Sequence, residues 1–245
     1  MSRERQLAEA FVALSDTYAP QFDPLSLFHR LVHSCRDLLD VNAAAVMIAD
    51  GRGDLKTMAT TDEDAAFAEL LQKHNGRGPC MDCYRTGVPV SVPDMAAEHE
   101  RWPALATAMT EAGYACLQAV PVRLHERTLG VLTLLRRRSG DLPEDDLHIA
   151  QALADSAALA LMHWSTEPTR IDDIVTRVQS VIAAKATLEI AKGMVAQYTG
   201  STVADAAHLL NAYVYEQGLR LTETAYALVT RALTPAAVTE ARPRH

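Results

Sequence analysis

No apolar run in this chain reaches the ~18 residues that a membrane-spanning helix needs, so a helical membrane protein is not expected. Glycine and proline are scarce, eleven each in 245 residues, and with 49% of residues apolar this excludes collagen-like and disordered chains. The chain reads as soluble and globular. The start, "MSRERQLAEAF", has charges where an export signal would carry its apolar core. Four cysteines in that context are expected to be reduced thiols in a cytoplasm. Positive charge is also short: 23 basic against 31 acidic residues, formally −8, argue against broad affinity for nucleic acid while allowing a local basic patch. There is no glycine-rich phosphate loop, no G-x-S-x-G and no H-E-x-x-H, so an enzyme is not expected.

What is present is periodicity. Leu7, Phe11 and Leu14, then Leu27, Leu31, Cys35 and Leu38, recur at helical steps on either side of "YAPQFDP", which predicts two helices. "AAAVMIA", the turn "DGRGD" and "LKTMAT" predict a hairpin, and "CLQAVPVRL" and "TLGVLTLLRR" around "HER" a second. Between them lie a predicted helix in "DAAFAELLQKH" and a strand in "VPVSVPD" whose prolines suit an edge. Short connections imply an antiparallel sheet. A helix then carries the small-residue stripe Leu147, Ala150, Ala154, Ala157, Leu161 and Trp164, which would pack on the sheet or on a second copy.

Pro168 interrupts the pattern, and the domain boundary is placed there, giving 1–167, 168–234 and a loose tail 235–245. Ile171, Ile174, Val178, Val181, Lys185 and Leu188 follow a heptad-like pattern that could extend into a coiled coil, with Lys185 snorkelling from the seam. Gly200 and Ser201 mark the next helix junction, Gly218 another, Thr222 a third N-cap and Pro235 the end. The second part is therefore a small three-helix unit.

"GPCMDCYRTG" predicts a two-turn helix with Pro79 at its first position and Gly87 past its end, placing Cys80 and Cys83 on one face. First-turn amides would favour a thiolate and Asp82 would oppose it. A redox couple, half a metal site and two packed thiols are the readings; for zinc, only Cys35, Cys116 and His74 could supply further ligands. Tyr84, Arg85, Asp94, Arg101 and Trp102 cluster nearby in sequence and could line a small-molecule pocket, or Tyr84 and Trp102 could simply be core with Arg85 at a helix end.

The motifs G-P-C, R-T-G, R-W-P and A-Q-A-L-A-D, spread over the first 165 residues, resemble the GAF domain of actinobacterial regulators. The stretch "AKATLEIAKGMVAQYTGSTVADAAHLLNAYVYEQGLRLTETA" is similar to the ANTAR domain, a three-helix RNA-binding antiterminator module, with Ala191, Lys192 and Gly193 on its A-K-G and Ala206, Leu209, Leu210, Leu221 and Ala225 on its packing positions. The resemblance implies an α+β fold, an antiparallel sheet flanked by helices followed by an all-α unit. It implies a small-ligand or redox sensor joined to a homodimeric transcription antiterminator that grips twin RNA hairpins. Lys185, Lys192, Gly193 and Arg220 are the RNA-binding positions it implies, and Cys80, Asp82, Cys83, Tyr84, Arg85 and Trp102 the candidate ligand site; no cofactor is named by it. Asn211, Ala212, Tyr215 and Leu219 stand where the family often carries basic residues, and residues 170–233 hold six basic and six acidic side chains, a balance of zero. Tyr213, Tyr215 and Tyr226 are available to stack on hairpin-loop bases, with core packing expected as their main role. Two alternatives stand beside this reading: a GAF-fold reductase of free methionine sulfoxide using Cys80, Cys83 and Cys116, and an interaction module without RNA.

Overall fold

A computed structural model describes residues 2–17, 22–61, 77–163 and 171–240. Helices α1 (Arg3–Ser15) and α2 (Pro24–Leu38) lead into strands β1 (Ala43–Ala49) and β2 (Leu55–Thr60). Helix α3 (Pro79–Thr86), edge strand β3 (Val90–Val92), a 3-10 turn (Ala96–Glu98) and helix α4 (Pro103–Glu111) follow. Strands β4 (Cys116–Leu124) and β5 (Arg127–Arg136) form the second hairpin, and α5 (Glu144–His163) runs back along the sheet. Then come α6 (Ile171–Thr199), α7 (Val203–Gln217), α8 (Leu221–Val229) and α9 (Pro235–Glu240). The predicted helix in "DAAFAELLQKH" and the boundary at Pro168 lie outside the described residues.

The sheet order is β2-β1-β5-β4-β3 with every pairing antiparallel. Strand β1 is buried along its whole length, because successive side chains point to opposite faces and both faces are covered. Ala44, Val46 and Ile48 face the layer built by α1, α2 and α5, whereas Ala43, Ala45 and Met47 face α3 and α4. Gly130 allows β5 to lie this close to β1: a Cβ there would fall 2.0 Å from the Met47 carbonyl oxygen.

Ala150, Ala154, Ala157 and Leu161 are buried, and α5 packs on β4, α1 and α2. The small-residue stripe thus serves the sheet of its own chain; Trp164 lies outside the described residues.

The second part departs from expectation in four places. Ile174, Val178, Val181 and Leu188 are buried against α7, α8 and the sheet layer, in one continuous core with α2 and α5. The heptad-like seam is therefore closed within the chain and does not extend into a coiled coil; shared burial of its apolar face stabilises it there. Thr202 rather than Ser201 caps α7, in a capping box with Asp205. Thr222 does not cap α8 but sits inside it, its N–H bonded to a distant carboxylate. Pro235 opens a further helix, α9, whose Val238 is buried, so residues 235–240 are not a loose tail.

Candidate functional site

Helix α3 forms as its sequence predicts. Pro79 occupies the first turn, Gly87 adopts the left-handed C-cap conformation at φ 66°, and the short helix lies over β3, β4 and β5. Cys80 and Cys83 turn inward, into an apolar cluster with Met81, Trp102, Leu105 and Met109. Cys80 Sγ lies 3.3 Å from Thr133 Oγ1. All four cysteines are free and buried. Burial pushes the Cys80 thiol up to about 11 against the lesser pull of the Thr133 hydrogen bond, and burial together with Cys80 pushes Cys83 up to about 12. Burial likewise raises Cys116 and takes Cys35 to about 12. The expected stabilisation of a thiolate by first-turn amides is outweighed because the sulfurs are dehydrated.

The other residues of this candidate site are spread rather than convergent. Trp102 is core, with the Arg101 guanidinium 4.0 Å from its ring centroid. Arg101 also reaches Asp82 at 3.4 Å, and Asp94 accepts from the Ala96 N–H. Arg85 is exposed at the end of α3, and Tyr84 is half-buried beside the apolar cluster. No group of three or more His, Cys, Asp or Glu among the described residues is arranged to hold a metal ion, and no helix among them is long and apolar enough to cross a membrane.

The second candidate face lies on α6. Lys185 and Lys192, two turns apart, share one carboxylate: Glu189 Oε1 is 2.6 Å from Lys185 Nζ and 3.3 Å from Lys192 Nζ. Burial works against the Glu189 charge, but Lys185 and then Lys192 outweigh it and hold its carboxyl below the ordinary range. Both lysines are largely covered, with side chains 20% and 10% exposed, so they do not stand on a solvated surface. Gly193 is exposed with open space around it, and Arg220 pairs with Glu223 at 3.1 Å at the start of α8.

A family profile described as a GAF domain matches residues 23–162. The chain belongs to the GAF domain family. Solved structures agree on the fold. The GAF domain of an Acinetobacter phosphoenolpyruvate-protein phosphotransferase is 17% identical with a TM-score of 0.52, covering 66% of this chain and 95% of its own. The GAF domain of cyanobacteriochrome TePixJ is 17% identical at TM-score 0.51, covering 60% and 93%. The reduced form of fRMsr of Staphylococcus aureus is 14% identical at 0.51, covering 65% and 94%. Comparison with curated proteins found no match.

Helix α2 of the GAF domain packs against α6 close enough to the lysine face for its His29 to feel the lysines' charge. His29 on α2 lies within electrostatic reach of Lys185, Lys192 and Glu189, with His33 one turn on, its ring centroid 6.3 Å away. Burial, then the two lysines and His33, lower His29 to about 4, with Glu189 opposing. At the N-cap of α2, six residues before His29, Asp23 joins the GAF domain to the C-terminal helices. Its Oδ1 accepts the Leu25 N–H at 2.9 Å and the Ser26 N–H at 3.4 Å, capping α2, while its Oδ2 accepts the Thr222 N–H of α8 at 2.7 Å. Asp23 is 1% exposed.

Asp23 and His29 were absent from the sequence-based site. The pair "DP" at 23–24 is an N-cap and first-turn signal for α2, but nothing local indicates that the same carboxylate serves a helix 199 residues away. Three expectations about the C-terminal side chains also change. Tyr215 and Tyr226 are exposed, at 86% and 65%, rather than in the core. Tyr213 is partly buried as expected, whereas Leu209 is exposed although Ala206, Leu210, Leu221 and Ala225 are buried.

The lowered His29 predicts acid sensitivity of this contact. Folded His29 is neutral below the point where unfolded His29 binds a proton, so stability falls as pH drops from about 6.5 toward about 4. The expected loss is on the order of 2 kcal/mol. Urea unfolding at pH 7 and pH 4.5 measures it, and His29→Gln should remove most of the difference. An equal pH dependence in both proteins would show that His29 does not carry it.

Proposed function

We propose that the chain is a signal-responsive regulator whose GAF domain senses a small ligand or redox state and whose C-terminal helices act as an RNA-binding transcription antiterminator. The observation that supports it is the paired and largely covered lysine face of α6, a helix on which α2 of the GAF domain packs. A surface whose cations are held and shielded by the sensing domain is suited to conditional contact with phosphate. It also answers the neutral charge balance of this part of the chain, since affinity would come from exposing Lys185 and Lys192 rather than from a broad basic surface. The exposed Tyr215 and Tyr226 offer faces on which unpaired hairpin bases stack. Two copies would present two such surfaces to twin hairpins, through contacts other than the heptad-like seam.

The test uses RNA retained by the purified protein and measures affinity as a function of salt. Lys192→Ala should weaken binding and make the log–log salt slope shallower by about 0.7–0.9, the value of one phosphate contact. Glu189→Ala should strengthen binding by releasing both lysines. Equal affinities and slopes across the three proteins would reject the α6 surface.

Reduction of free methionine sulfoxide is the weaker reading. Its support is the shared fold with fRMsr, and against it stand four buried thiols whose protonated form is favoured.

A further inference from the structure

We propose that the cleft between the β1–β2 turn of the GAF domain and the first half of α6 is a binding site for a small amphipathic carboxylate. The cleft has a volume of about 390 Å³, within the ~300–1,000 Å³ typical of small-molecule sites, and lies where two parts of a chain meet, a common setting for such sites. Its apolar lining comes from both sides: Ala49 and Leu129 from the sheet, Ile174 and Val178 from α6, all buried.

Four polar side chains border that lining, and none has a hydrogen-bond or ion-pair partner among the described residues: the guanidinium groups of Arg52 and Arg127, the Tyr84 hydroxyl and the Gln179 amide. Arg101, Arg123, Arg138 and Lys56, by contrast, each have a carboxylate partner. Two unpaired guanidinium groups at the mouth of an apolar cleft supply forked donors for a carboxylate, and the lining supplies a place for its hydrocarbon part. Gln179 and Tyr84 offer further polar contacts beside it.

The one acidic side chain lining the cleft is Asp50. Its carboxylate accepts the Arg52 N–H at 2.8 Å and the Asp54 N–H at 3.0 Å and lies 3.5 Å from Lys56, which ties it into the turn. With Asp50 so engaged, Arg52, Arg127 and Lys56 leave the rim net positive and suited to an anion, and the apolar lining separates a carboxylate that carries a hydrocarbon part from inorganic phosphate, which has none to bury. Gly51 brings the turn against α6, since a Cβ there would lie 3.0 Å from Gln179 Nε2. A ligand in the cleft therefore touches the GAF domain and α6 at once, and Val178 precedes Lys185 by two helical turns on the same face. The site does not depend on whether α6 meets RNA, and its test needs none.

Isothermal titration of the full chain with hexanoate, hexanol and inorganic phosphate, each against wild type and Arg52→Glu with Arg127→Glu, reads the proposal. Both arginines are exposed, so the double variant is expected to keep the wild-type melting temperature. Hexanoate should bind wild type saturably and the double variant at least about tenfold more weakly, the scale of losing charge-assisted hydrogen bonds. Hexanol and phosphate should each bind wild type at least about tenfold more weakly than hexanoate does. Absent hexanoate binding, equal binding to the double variant, or phosphate matching hexanoate would each overturn the assignment.

Discussion

Val178→Asp combined with Val181→Asp is expected to unfold the C-terminal helices, not to separate two subunits. Val178 is 5% and Val181 1% exposed, in a core continuous with α2 and α5. Each substitution removes a buried apolar side chain and places a carboxylate among apolar neighbours with no planned partner. The pair should cost about 5 kcal/mol or more, comparable with the whole stability of many domains. Far-ultraviolet circular dichroism through a urea titration should show lost helix and an early transition, with no change of particle mass from subunit separation in sedimentation. A normal unfolding midpoint accompanied by halved mass would instead make the seam an intermolecular one.

Asp23→Ala should loosen both helices that its carboxylate holds. Losing the N-cap of α2 costs ~0.5–2 kcal/mol and losing a charge-assisted bond to the Thr222 N–H ~1.5–3 kcal/mol, so a total near 2–4 kcal/mol is expected. Asparagine in its place keeps a single carbonyl oxygen, enough for one helix, and should fall between alanine and wild type. The same variants report on the covered lysines. Acetylation of Lys185 and Lys192, followed by mass spectrometry under native conditions, should be faster in Asp23→Ala than in wild type, because α2 no longer presses on α6. An unchanged unfolding midpoint with unchanged labelling of both lysines would remove Asp23 from this role.

These two residues sets also show where sequence reasoning succeeds. Both hairpins, the edge position of the strand in "VPVSVPD", the short helix of Cys80 and Cys83, and the glycine stops at 87, 200 and 218 were legible, because alternation, helical spacing and left-handed glycine caps are local. The antiparallel pairing within each hairpin follows from its short connection, whereas the β1–β5 and β3–β4 pairings join strands distant in sequence. The shared position of Lys185, Glu189 and Lys192 on one helix face was legible for the same reason.

What tertiary structure decided is which way each face points. Periodicity identifies an apolar stripe but not its partner, so Val178 and Val181 read equally well as a coiled-coil seam or as core; only the approach of α7, α8 and the sheet layer makes them core. The lysines likewise read as a solvated, phosphate-seeking face until the fold covers most of each side chain. The thiols of Cys80 and Cys83 stand near helix-terminal amides in sequence, yet dehydration beneath the sheet sets their protonation. Asp23 reads as the cap of one helix and serves two. The sequence by itself determined the elements and the side chains on each face; long-range packing, which depends on contacts between residues up to 199 positions apart, determined which faces meet water and which meet one another.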